Sequence, residues 1–516
     1  MNAMHQLDAL CESLFSPDAP GAAIGVLMRG GFRYAKGFGL ANLDARIPFT
    51  PQTPFRVCSI TKQFVCLMMR QLESEGKIAL DLHPSRYLAA LDRFPAALTV
   101  RHLCQNRSGL RDYWCAAMLT GANFDSRFTL AQGAELIRAL VEPMFAPGTQ
   151  YSYSNGNWRI LEWIIEAVTK RTLPDLLAER VFVPLGMRDT GWGSDTGLAL
   201  NPHSKGYRSI DGEWEEEITR ACWSGDAALV STLDDLLKWE VAMLTAALPS
   251  SEALAEAMPH ANGEPGSYAY GINAWQQDGR WMHWHGGALR GWRMVHLRFP
   301  QDGASIVMML NRTENPTPFA LKIAHCIGVK TTWDEVSPCA AAADTAVNGV
   351  YYSASLDLLA EFATQGELPT LDLGGESTPL MWIGDNALAN ASGFYRIERH
   401  GEYLDIRARQ FGWRDKFLRV PFRDDRRHLA GLRCHCSELK STVAFNDTGT
   451  VVRIIGANGD AADYAVRPLA KGIVAFDCTR ALDELPPGRF AIRIELESRR
   501  LVIGCFGARG FVFAVA

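Results

Sequence analysis

Apolar residues recur along this chain at two different spacings, and the change from one to the other divides it. Leu7, Leu10, Cys11 and Leu14 share one face of a short helix over residues 5–15. The apolar run Ala22–Met28 reads as a strand, and Arg29-Gly30-Gly31-Phe32 turns it back into a partner over 33–39. From Ser59 to Glu75 the apolar positions 60, 64, 65, 67, 68 and 72 keep a helical period, and Gly76 closes it. A short helix over 98–110 runs into a glycine turn. Ile160, Leu161, Ile164, Ile165 and Val168 mark the inward face of another helix, from Trp158 to Lys170. That leaves Tyr153 and Asn155 on the loop just before it, where side chains can face a cleft. A helix follows Thr232. Strands over 268–275, 281–285, 295–299 and 305–311 make an antiparallel meander, and a helix near 317–327 ends this part. Strand hairpins at both ends with helices between predict an α/β (α+β) unit, one antiparallel sheet on a helical cluster.

From about Trp333 helical periods vanish. Short alternating strands recur between Gly, Asn and Asp turns as far as Ala516. Strand runs starting at Gly349 and Gly431 resemble one another. The expected organisation is therefore the α/β (α+β) unit over 1–332 and two small antiparallel β-barrels over 333–420 and 421–516.

Composition narrows the classes. A chain of 516 residues is too long for one ordinary core. A formal charge of −5 and a pI near 6.2 offer no basic surface for nucleic acid. No apolar run reaches membrane-spanning length, and Met1–Asp8 lacks the basic-then-apolar pattern of a secretory signal. The twelve cysteines are scattered singly except for Cys434-His435-Cys436, whose alternating thiols read as packing. No Cys-x-x-Cys clip suggests structural zinc, and free thiols point to a reducing cytoplasm.

The chemistry centres on Cys58-Ser59-Ile60-Thr61-Lys62. Positions i and i+3 share a helix face, so the Lys62 amine can reach the Ser59 hydroxyl. A desolvated lysine can lose its proton and activate a serine, and a helix N-terminus favours a developing oxyanion. Ser437-Glu438-Leu439-Lys440 has the same spacing and is assigned no chemistry, so the pattern needs partners.

Tyr153-Ser154-Asn155 and His285-Gly286-Gly287 follow in order. The three elements together resemble the penicillin-recognising serine hydrolases, which carry Ser-x-x-Lys, Tyr/Ser-x-Asn and Lys/His-Thr/Ser/Gly-Gly. The runs Cys58–Phe64, Ser108–Trp114, Tyr151–Asn157 and His285–Arg293 are similar to those of the bacterial D-aminopeptidases in that superfamily. Those proteins also carry two C-terminal barrels, which extends the likeness over the whole chain. The resemblance implies a β-lactamase-like fold and a cytoplasmic homodimer. It implies an acyl-enzyme that releases N-terminal D-residues, D-Ala or Gly among them, from peptides, amides and esters. It calls for no cofactor, metal, nucleic acid or membrane.

On that resemblance Ser59 is the nucleophile and Lys62 its activator, with Tyr153 relaying a proton to the leaving amine. Either Lys62 or Tyr153 can be the base. Asn155 contacts Lys62 and substrate, Gly287 lies beside substrate, and the backbone N–H groups of Ser59 and Ala288 form the oxyanion hole. His285 belongs to the catalytic set. It replaces the lysine that holds a substrate carboxylate in penicillin-binding carboxypeptidases, and a histidine is mostly neutral at pH 7. The anion for the substrate ammonium falls on Asp483, in the proline-stiffened loop 479–489, with Glu484 as a rival. Arg111, Asp112, Arg290 and Arg293 read as structural ion-pair formers, and Trp223 and Asn273 as candidate pocket lining. The competing readings are an esterase, β-lactamase or D-Ala-D-Ala carboxypeptidase at the same site, and a catalytically idle binding protein.

Overall fold

A computed structural model describes residues 3–515, apart from 201–203, 261–262, 264–265, 278, 332–346, 366–367, 385, 391–392, 480 and 483–487. The two ends of the first unit build one sheet. Six antiparallel strands run in the order Asn273–Gln277, Arg280–Leu289, Trp292–Phe299, Ala304–Leu310, Ala22–Met28 and Phe32–Phe38. Ala22 faces Leu310 and Val26 faces Ile306, which joins the N-terminal hairpin to the late meander. Every residue of Ala304–Leu310 is buried, because helices cover both faces of the sheet. Ala3–Leu14 and Thr317–Cys326 cover one face through Leu7, Cys11, Ala320 and Ile323. On the other face Leu233–Leu244 packs so closely that a Cβ at Gly25 would lie 2.7 Å from Leu237.

Thr61–Ser74 lies inside the helical cluster, with Phe64 stacked on Trp239 at 4.1 Å between ring centroids. Apolar side chains surround it, so its burial follows from the dense apolar content already read in that segment. Two boundaries differ from the periodicity. The strand expected from Tyr268 begins at Asn273, because Gly271, at φ +69°, turns against the backbone of Lys62, where a Cβ would meet Lys62 O at 2.5 Å. The helix expected from Trp158 begins at Asn155, so Asn155 is helical and only Tyr153 precedes the helix.

Among the described residues after Gly349 the regular elements are strands and short 3₁₀ turns. In its first part nine strands form one antiparallel sheet whose edges are Glu376–Pro379 and Met381–Gly384. Only Leu380 separates these two edges in the chain, so the sheet curls into a nearly closed barrel around Tyr351, Phe362, Ile406 and Phe417. The second part is a closed eight-stranded barrel from Arg433–Cys436 to Ala508–Val515, sealed where Cys434 pairs with Val515. Closure removes the exposed edges that short alternating strands would otherwise present. No helix among the described residues is long and apolar enough to cross a membrane.

Candidate active site

The nucleophile turn is held in a conformation its sequence does not favour. Cys58 sits at φ +54°, a left-handed conformation that costs a non-glycine residue about 1–2 kcal/mol. Thr61 Oγ1 donates to Cys58 O at 2.7 Å and accepts from Leu229 N at 3.1 Å, and Val57 N donates to Leu229 O at 3.1 Å. The turn is thereby tied to the strand Leu229–Ser231. From the other side the strand Arg280–Leu289 presses in at Gly287, where a Cβ would meet Val57 O at 2.7 Å.

Four of the expected residues converge here. Ser59 Oγ accepts from Lys62 Nζ at 3.1 Å and from Tyr153 OH at 2.9 Å. Lys62 Nζ also donates to Asn155 Oδ1 at 3.1 Å and to Asp226 O at 2.6 Å. Its side chain has no exposure, and burial pushes its pKa down to about 8 against the pull of Asp226 and Asp112. Burial holds Tyr153 well above the ordinary phenol range. The Lys62 ammonium lies 5.0 Å from the Tyr153 ring centroid, so lysine, serine and tyrosine form one compact group.

His285 stands apart from that group. Its Nδ1 donates to Gly286 O at 2.5 Å, which leaves Nε2 to accept from Tyr268 OH at 3.0 Å. Burial, and next the charge of Lys62, push its pKa down to about 3, so the ring is neutral and carries no charge for a carboxylate. Gly287 and Ala288 line the cavity beside Ser59 on the same strand. Asp483 and Glu484 lie outside the described residues. The loop's near end is placed: Arg290, on the turn after Arg280–Leu289, donates to Ala481 O at 2.8 Å, and Leu482 N donates to Met118 Sδ at 3.4 Å.

The cavity over Ser59 has a volume of about 560 Å³. Trp114, Trp223 and Tyr268 form part of its apolar wall, and both barrels contribute: Gly374 and Phe411 from the first, Cys505, Phe506 and Gly507 from the second. Trp223 and Asn273 do line it. Among the described residues no cluster of three or more His, Cys, Asp or Glu could hold a metal. Three contributors escaped the sequence reading. Asp226 accepts from Lys62 through its carbonyl and pulls on it with its charge, Tyr268 holds His285, and Asp112 binds Asn155 where ion pairing was expected.

Residues 6–325 match the β-lactamase family, and residues 341–514 match D-aminopeptidase, domain B. The D-aminopeptidase of Gluconobacter oxydans is 32% identical over 518 residues, covering 96% of this chain and 95% of its own. This chain belongs to the D-aminopeptidases of the β-lactamase family. A second D-aminopeptidase, from Brucella anthropi, is 31% identical and covers 95% of this chain and 94% of its own. At the level of fold, this D-aminopeptidase-family chain is similar to the octameric penicillin-binding protein homologue from Pyrococcus abyssi. That similarity has a TM-score of 0.59 at 19% identity, over 90% of this chain and 100% of the other.

Proposed function

We propose that this protein is a serine-type D-stereospecific aminopeptidase, forming an acyl-enzyme to release N-terminal D-amino acids from peptides, amides and esters. One observation carries the chemistry: the Ser59 hydroxyl is hydrogen-bonded at once to a buried lysine and to a half-buried phenol. Neutral Lys62 takes the proton as Ser59 Oγ attacks the substrate carbonyl carbon. The proton passes by way of Tyr153 to the leaving nitrogen, the C–N bond breaks and the acyl-enzyme remains. Water then attacks the acyl carbon as Lys62 takes one of its protons, the bond from that carbon to Ser59 Oγ breaks, the proton passes to Oγ and the free D-amino acid leaves. Lys62 is the better base, since its pKa is pushed towards neutrality while that of Tyr153 is pushed away from it. The backbone N–H groups of Ser59 and Ala288 are the assigned oxyanion donors, a role supported by the close approach of their two segments at Gly287.

Asp483 is assigned to the substrate ammonium. The tie from Arg290 to Ala481 O supports this, because it anchors the loop two residues earlier beside the strand that carries His285–Ala288. The relatives' names supply the D-aminopeptidase class. The form assigned to the protein is a cytoplasmic homodimer. The absence of a disulfide among the described cysteines suits a reducing compartment, and light scattering on eluted protein reads the assembly.

The test compares D-Ala-p-nitroanilide with its L and N-acetyl-D counterparts, in wild type, Ser59→Ala and Asp483→Ala. Hydrolysis confined to the free-amine D compound, abolished in Ser59→Ala and raised chiefly in KM in Asp483→Ala, is expected. Equal hydrolysis of the acetylated compound would remove the aminopeptidase assignment.

A further inference from the structure

Asp112 takes no part in the chemistry above, yet it joins the second barrel to the lysine that activates Ser59. It is 5% exposed. Its Oδ2 accepts from Asn155 Nδ2 at 3.0 Å, and its Oδ1 accepts from the backbone N–H groups of Asn155 and Trp114, both at 3.2 Å. An ionised carboxylate has no hydrogen to give, so it takes the Asn155 amide nitrogen-first. That turns Asn155 Oδ1 towards Lys62, where it accepts from Nζ at 3.1 Å.

The barrel grips the segment that carries this carboxylate. Asp112 N donates to Gly507 O at 3.0 Å. Arg111 Nη1 donates to Glu438 Oε2 at 2.9 Å, and its guanidinium lies 4.7 Å from the Phe511 ring centroid. Glu438 belongs to the second Ser-x-x-Lys match, whose Lys440 pairs with Glu135 at 2.9 Å. That match is therefore a docking corner of the barrel.

We propose that Asp112 is a positioning residue of the reaction, which the second barrel holds so that its carboxylate fixes the Asn155 amide and keeps Lys62 aimed at Ser59. The barrel is then part of the apparatus that activates the serine as well as a wall of the cleft. This rests on the serine-hydrolase reading of the same site.

The test is Asp112→Asn. Asparagine caps a helix start as well as aspartate does, so Tyr113–Met118 keeps its N-cap. The carboxamide, however, has its oxygen held by the two backbone N–H groups and meets Asn155 with its nitrogen, so Asn155 turns its Oδ1 away from Lys62 and an amide N–H towards it. With the parent's circular dichroism retained, kcat on D-Ala-p-nitroanilide is expected to fall up to about 100-fold at unchanged KM. The groups facing Lys62 are Asp226, Asp112, Cys58, Tyr153 and His285. Removing the Asp112 charge moves the limb of kcat/KM that follows Lys62 deprotonation to lower pH. The double variant with Asn155→Ala should be no slower than Asn155→Ala alone, since both act through one contact. Parent kcat with the parent pH profile, or losses that multiply, would overturn the proposal.

Should Asp112→Asn not fold, Asn155→Asp carries the same question. Two facing carboxylates share one proton, and its loss at higher pH drives them apart and raises Lys62, so kcat should fall on the alkaline side where the parent's does not, and an unaltered alkaline side overturns the proposal. Labelling of Ser59 by a fluorophosphonate runs alongside, because it reads serine activation without a D-aminoacyl group. A parent that labels but leaves D-Ala-p-nitroanilide intact fails the D-aminopeptidase reading alone, and slower labelling of Asp112→Asn still supports its positioning role.

Discussion

Lys62 offers three N–H donors to three acceptors, Ser59 Oγ, Asn155 Oδ1 and Asp226 O. Full burial makes its charge costly, and the three contacts fix where the lone pair points once the proton leaves. The free-enzyme kcat/KM is therefore expected to climb with pH through a limb near 8, because the competent form needs neutral lysine. A profile flat from acid to alkaline pH would rule Lys62 out as base. Lys62→Arg keeps the charge and cannot shed it, so activity should drop by about 10²- to 10⁴-fold with Ser59 still present. The convergence of Ser59, Lys62 and Tyr153 was legible in the sequence because each carries a side chain with a short list of chemical roles. Asp226 was not, since its direct contact with Lys62 is through a carbonyl that any residue possesses, and its charge acts from 164 residues away in the chain. Asp112 was misread because the partner that matters, Asn155, is 43 residues away and uncharged.

At the scale of elements, the strand Arg280–Leu289 brings His285, Gly287 and Ala288 up to the nucleophile turn, and Gly287 sets how near it comes. Gly287→Ala should push strand and turn apart, since its Cβ would overlap Val57 O and crowd Met294 Cγ at 2.9 Å. The expected result is a lower thermal midpoint, about 1–3 kcal/mol of overpacking, together with a fall in kcat. Unchanged kcat would show that the approach of the strand is not what places Ser59. Glu438→Ala leaves the buried Arg111 guanidinium without its carboxylate and should destabilise the docked barrel by roughly 3 kcal/mol, read as a lower unfolding midpoint. The helices were visible from their periods, but helix starts and strand breaks were not. Asn155 joins its helix and Gly271 interrupts a strand through close contacts with segments distant in sequence.

For the whole molecule, the pH response follows from charges buried behind the sheet. Glu240 accepts from Arg298 at 2.9 and 3.0 Å and from Ser305, and His296 lies 3.4 Å from it. Burial pushes His296 down to about 4 and His285 down to about 3, against 6.5 in the unfolded chain. The unfolded state then binds more protons below pH 6.5, so stability falls as pH drops from there towards 4. Glu240 is held below its ordinary range and loses its contribution in the same direction. Asp112 and Glu162, pushed up by burial to about 6 and about 7, gain stability as pH falls and offset part of this, so thermal midpoints should decline from pH 7 to 4 less steeply than the histidines alone require, and a constant midpoint would contradict this account. The two-barrel organisation was legible because alternation survives without long-range information. The way both barrels enter the cleft was not, because it depends on turns at Gly374, Phe411 and Gly507 whose composition is ordinary.

The sheet also sets a timetable for synthesis. Gly21 N donates to Asn311 Oδ1 at 2.7 Å across 290 residues, and the strand beside it pairs with Ala304–Leu310. A ribosome adding about 5–20 residues per second needs roughly 15–60 s to supply that partner. Through that interval the apolar hairpin at the start of the chain waits with an open edge, and Ser59 cannot meet Gly287 and Ala288 until the meander has emerged.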